Sequence, residues 1–169
     1  MALTAGRNRK CTSGLSGGVK AIYLVPQADI DSVTVDTDSS ISAITMVATK
    51  VFYKYQFRRD TASFNEEVTN ENCTTQTTNT IAMTWAGLAQ ADINTLKELL
   101  DSSCCGLAAV VEYNTGVMRL VGHEENEYLE TSGVAISSGA AKADAFETVV
   151  TITGTSVYPS PTFTGTVPV

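Results

Sequence analysis

The run at 50–58, KVFYKYQFR, constrains the fold more than any other stretch of the chain. Val51, Tyr53, Tyr55 and Phe57 share one parity, and Lys50, Phe52, Lys54, Gln56 and Arg58 share the other. Period two over nine positions specifies a half-buried strand, because side chains of a strand alternate between its faces. A weaker alternation continues through 59–69, with Ala62, Phe64, Glu66 and Val68 on one side. Asn70-Glu71-Asn72 is a turn signal. The stretch at 73–85, CTTQTTNTIAMTW, is first almost pure Thr, Gln and Asn, then sets Ile81, Met83 and Trp85 on one face. Thr favours strands because its branched Cβ packs well on a pleated surface. The spacing therefore predicts a long antiparallel hairpin over 50–85 with a polar tip. An isolated ribbon of this kind is marginal in water, so it needs a partner: the chain's own sheet or another copy.

Shorter strand patterns flank this region. The run at 20–25, KAIYLV, is apolar and ends at Pro26; 31–38 sets Val33 and Val35 on one parity between flanking acids; 41–49 is apolar but less regular. One helix is expected over 89–102, burying Ile93, Leu96 and Leu100 at three- and four-residue spacing with Ala89 one turn earlier. Asp92 lies early in it and Gly106 just beyond its end, as the helix dipole and a C-terminal stop favour. LAAVVEY at 107–113 and VMRLV at 117–121, joined by Asn114-Thr115-Gly116, read as a hairpin. The stretch 122–143 is acidic and then Ser/Gly/Ala-rich, and reads as a loop. The last core strand is expected over 145–153, followed by a Pro-punctuated extended tail over 158–169. Many strands, one helix and no β-α-β alternation predict a mostly β single domain. The expected form is an antiparallel β-sandwich or barrel with one packed helix, a long protruding hairpin and extended terminal arms at 1–18 and 158–169.

Charge narrows the function classes. Eighteen acidic against 11 basic residues give a net charge of −7. Such a chain lacks the Lys and Arg that give nucleic-acid binders their affinity for phosphate. Charged residues make up 17%, below the roughly 25% of an average soluble domain. Thr and Ser carry much of the polar load. Weakly charged β surfaces adhere unless their edges are paired or covered, which points to burial against copies of the same chain. No apolar run approaches the roughly 20 residues of a membrane-spanning helix. The first residues carry Arg7, Arg9 and Lys10 and are followed by a polar Gly/Ser stretch rather than the apolar core of a secretory signal. Production in a cytoplasm, or assembly there into a particle, is the expectation.

The chemistry-bearing residues are few. Cys11, Cys73, Cys104 and Cys105 contain no C-x-x-C pair, and the vicinal pair is poorly placed for two zinc ligands; buried or half-buried free thiols are expected. His123 is the only histidine and is expected in a loop. No G-x-S-x-G, H-E-x-x-H, Walker loop or G-x-G-x-x-G is present, so no enzyme, cofactor or metal is expected. A small binding domain or enzyme would have to use a pocket near His123 or the vicinal cysteines.

The order of elements resembles the tail-tube proteins of tailed bacteriophages and their relatives in contractile injection systems. The resemblance rests on CTSGLSGGVKAIYLV as an arm leading into the first strand, VFYKYQFRRDTASFNEEV…TTNTIAMTW as the ribbon, ADINTLKELLDSS as the helix, LAAVVEYNTGVMRLVGHEEN after it, and TSGVAISSGAAKADAFETVVTITGTSVYPSPTF as closing strand and C-terminal arm. It covers most of the chain by order and pattern, without a single diagnostic motif. It implies a virion structural protein, assembled in the host cytoplasm, whose copies close into hexameric rings that stack into a tail tube. Its partners would be copies of itself and other tail proteins (sheath, tape measure, baseplate or terminator), with DNA as non-specific transiting cargo and no membrane. A neck, tail-completion or baseplate ring of the same fold is the alternative. The expected assembly contacts are Arg58, Arg59, Asp60, Phe64, Glu66, Glu67, Tyr158, Phe163 and Val169; the two arginines either pair acids such as Glu66 or Glu67 of a neighbouring subunit or form a solvated charge pair.

Overall fold

The computed structural model describes residues 17–57, 60–86, 89–138, 140 and 146–169. Its strands are β1 (Val19–Pro26), β2 (Ile30–Val35), β3 (Ile41–Met46), β4 (Tyr53–Gln56), β5 (Ala62–Glu71), β6 (Thr74–Ala86), β7 (Leu107–Tyr113), β8 (Met118–Val121), β9 (Leu129–Ser137), β10 (Glu147–Ser156) and β11 (Thr162–Phe163). One helix, α1 (Gln90–Ser103), is present among the described residues. The fold is mostly β, as expected.

The strands form one continuous 11-stranded sheet folded over on itself. The first layer runs β2-β3-β11-β8-β7-β1-β4. The second runs β9-β10-β6-β5 and joins the first through the single pair Leu107↔Leu129. Every pairing is antiparallel except β3 with β11. The main core lies between the layers: Ile22, Leu24, Ala109, Val111 and Val121 from one face meet Ile81, Met83, Leu129, Val150 and Ile152 from the other. A second cluster, built on Ala21, Tyr23, Val25, Val110 and Leu120, covers the opposite face of β1, β7 and β8, closed by Ile41, Phe52, Phe163 and Val167. The central strands are thus buried on both faces, which is why AIYLV and LAAVV read as unbroken apolar runs rather than alternating ones.

Four expectations are corrected. The alternating run at 50–58 is not an arm of the hairpin. Its ordered strand β4 pairs with β1, Tyr55 opposite Ile22 and Tyr53 opposite Leu24. The hairpin is β5–β6 alone, ten regular pairs from Ala62↔Met83 to Glu71↔Thr74. The phase of the run is also divided. Tyr55 and Phe57 pack on the main core, Tyr53 is exposed, and Phe52 of the other parity is buried in the second cluster. The stretch 122–143 is not wholly a loop, because β9 lies within it and pairs along β10. Small residues on its outer face left it without a strong strand signal. Finally, the hairpin protrudes little: β10 follows β6 as far as Ser156↔Thr77, leaving three β5–β6 pairs beyond it.

The helix starts without a side-chain cap; the Ala89 backbone N–H donates to the Asp92 carboxylate at 3.0 Å. Its buried residues are Leu96, Leu99 and Ser103, whereas Ile93 (41% exposed) and Leu100 (39%) face outward. The expected stripe was displaced because Leu96 belongs to both candidate faces, and Ser103 fixes the choice: its hydroxyl accepts the Thr131 N–H at 2.7 Å. Leu99→Ala should therefore cost about 2–5 kcal/mol, and Ile93→Ala about 0.5 kcal/mol or less, as read by urea denaturation. Equal losses would restore the outward stripe. Gly106 follows with φ +85, and a Cβ there would meet the Tyr128 ring at 2.8 Å, so only glycine fits this turn into β7.

Candidate functional site

The layer β9-β10-β6-β5 builds the most distinctive surface of the molecule. Strand parity and register together define it. Ile81 and Met83 face the core, so Thr78, Thr80, Ala82 and Thr84 face outward on β6. Register then places Thr155, Thr153, Thr151 and Val149 beside them on β10, and Glu67, Asn65 and Ser63 on β5. Across β10, β9 adds Glu130 opposite Thr153. None of the four strands contains a Lys or Arg, while Glu66, Glu67, Glu71, Glu130 and Glu147 are all within them. The face is hydroxyl-rich and can carry only negative formal charge. Such a surface offers a polyanion hydration but no counter-charge.

The same layer ends in β5, which has one strand neighbour among the described residues. Its register with β6 contains no bulge. The Thr84 N–H donates to the Thr61 carbonyl at 2.9 Å. Odd-numbered residues of β5 therefore direct their backbone groups at β6, and Phe64, Glu66, Val68 and Asn70 direct theirs away from it. The strand carries neither Lys nor Pro, the usual guards of a free edge. The other terminal strands differ: β2 is broken by two register shifts and β4 is four residues long.

The residues expected at assembly contacts fall in different settings. Arg58 and Arg59 lie outside the described residues, as do Cys11 and most of the N-terminal arm. Asp60 is exposed in the turn before β5, with φ +63. Phe64 is half-buried against the core, its ring centroid 6.4 Å from that of Tyr113. Glu67 is exposed on the outer face. Glu66 is already engaged within the chain: one oxygen pairs with Arg119, and the other accepts the Ser160 N–H at 2.7 Å and its hydroxyl at 2.5 Å. That placement corrects Glu66 as a partner for a neighbour's arginine. Phe163, 3% exposed, is a core residue of its own chain, whereas Tyr158 (75%) and Val169 (70%) are exposed. The tail at 158–169 folds back on its own sheet through β11, rather than standing free as an arm.

A cleft of about 970 Å³ separates α1 from β4 and the end of β1. Tyr55 and Trp85 stack in its wall, centroids 5.9 Å apart and planes 9° apart. Burial, with Glu98 nearby, holds the Tyr55 hydroxyl above its usual pKa. Lys50 is spent on Asp29 at 3.2 Å and Asp92 on the helix start. His123 does not line this cleft. Its nearest charged neighbour is Glu124, at 3.9 Å. Cys73, Cys104 and Cys105 are free, as expected, but exposed rather than buried or half-buried. Among the described residues no group of His, Cys, Asp and Glu is spaced to hold a metal.

Burial lowers the pKa of His123 below the ordinary 6.5, against the opposing pull of Glu124 and Glu127. Folding thus favours the neutral ring. Its contribution is complete above about 6.5 and is lost as pH falls through the lower folded value, because the unfolded chain then binds more protons. His123→Gln should flatten the stability–pH curve across that window in calorimetry; an unchanged slope would show that the ring is solvated. Neither the outer face as a unit nor the β5 edge is legible in the sequence, because both depend on pairings. The signal within reach was the absence of Lys and Arg from 62–86. No family model, curated protein or solved structure matches this chain.

Proposed function

We propose that this protein is a structural subunit that assembles with copies of itself through its sheet edges, closing into rings that stack as a tail tube and conduct a genome. The outer face of the β9-β10-β6-β5 layer is the observation that carries this reading. A conduit for DNA must neither bind phosphates nor expose apolar surface to them. A broad hydroxyl face without a cation in any of its four strands has that property. The unguarded β5 edge supplies the means of closure, since pairing it with another copy removes the row of free backbone groups.

Sedimentation of the full chain across rising concentration, with electron microscopy of the same samples, tests the proposal. Rings with a central hole, or tubes, are expected without any added cofactor. A monomer of 17.9 kDa that persists at every concentration would overturn self-assembly. Rings that never stack would favour a neck or completion ring.

A further inference from the structure

We infer that the C-terminal segment 157–169 is a strap, fastened at its root by two carboxylates and able to open while the sandwich stays folded. The root lies between the end of β10 and β11. Pro159 and Pro161 have no N–H to give. Of the remaining donors, the Val157 N–H goes to Glu127 Oε1 at 2.8 Å, and the Ser160 N–H and hydroxyl both go to Glu66 Oε1. The fastening is thus made by side chains from β5 and from the loop before β9, not by a sheet ladder.

Beyond the root the strap is held by a few backbone bonds. Leu120 N–H donates to the Pro161 carbonyl at 3.2 Å, Thr164 N–H to the Ile41 carbonyl at 2.8 Å, and Phe52 N–H to the Pro168 carbonyl at 2.8 Å. Phe163 and Val167 plug the second cluster. Opening would uncover Ile41 and Phe52 on that face and leave the main core between the layers intact.

Ionised carboxylates accept these bonds most strongly, because hydrogen bonds to charged groups exceed neutral ones. The groups facing Glu66 are Arg119 on β8 and Tyr113 on β7. Glu127 faces His123 on its own loop. A neutral side chain at either position would weaken the fastening, and at position 66 it would also leave Arg119 without its ion pair.

Glu66→Gln and Glu127→Gln, singly and together, remove the charge of each acceptor while keeping its size. Hydrogen exchange of the Thr164, Leu120 and Phe52 amides should quicken about tenfold or more in the double variant, with Val110 and Val111 amides unchanged. Unchanged strap protection in the double variant overturns the inference. So does loss of strap and central-strand protection together, or a Glu66→Gln chain that fails to fold, since each would make the strap inseparable from the sandwich. Glu127→Gln alone, on the loop, should give a smaller quickening confined to the strap.

Discussion

Replacing Phe163 with alanine is expected to lower the unfolding free energy by about 3–5 kcal/mol, as measured by urea denaturation. The ring sits in a two-residue strand between β3 and β8, opposite Ile41 on one side and Met118 on the other. It packs with Tyr23, Phe52, Leu120 and Val167 on the face of the central strands turned away from the main core. A loss of that size is a large share of the roughly 5–15 kcal/mol that holds a typical domain. Deleting 158–169 should be worse than the point change, because it also removes Val167 and the carbonyl that takes the Phe52 N–H. A loss near zero for Phe163→Ala would mean that the tail spends its time off the sheet. The experiment thus separates a tail that completes its own domain from an arm reserved for a neighbouring subunit.

Val68→Pro is expected to abolish assembly, with the sedimenting oligomer falling more than about tenfold, while leaving the monomer folded. Val68 directs its N–H away from β6, so proline there removes no bond of the hairpin and only an edge bond is lost. Its side chain is half-exposed near the tip, so little packing changes. Thr69→Pro is the control: Thr69 faces Gln76 within the ladder, and proline there should unravel the tip itself. Circular dichroism establishes the folded state and sedimentation reads the assembly. Wild-type assembly by Val68→Pro would remove β5 as the closing edge and turn attention to β2 or β4.

The two substitutions address the two places where pairing, not pattern, matters most. Local pattern identified nearly every strand. The apolar runs of β1 and β7, the Asn114-Thr115-Gly116 turn and the parity of Ile81 and Met83 are all one-chain signals, set by steric preference and period. Their partners are not. The run at 50–58 has a strand's period, yet nothing within it distinguishes β5 from β1 as its neighbour; contact with Ile22 and Leu24 across the sheet decides that. The helix shows the same division. Its apolar residues admit two adjoining stripes, and the Ser103–Thr131 bond chooses between them.

The candidate surface follows suit. Composition and alternation alone determined that this chain would be a β domain with a Thr-rich, weakly charged exterior, because side-chain period and β-branching act locally. Tertiary structure decided that β5, β6, β9 and β10 lie side by side, that their hydroxyls share one face without a cation, and that Glu66 is committed to Ser160 and Arg119. The commitment of Glu66 rests on contacts between residues 53 and 94 positions apart along the chain. No short window of sequence holds both partners of such a contact, and the burial that selects them exists only once the two layers have closed.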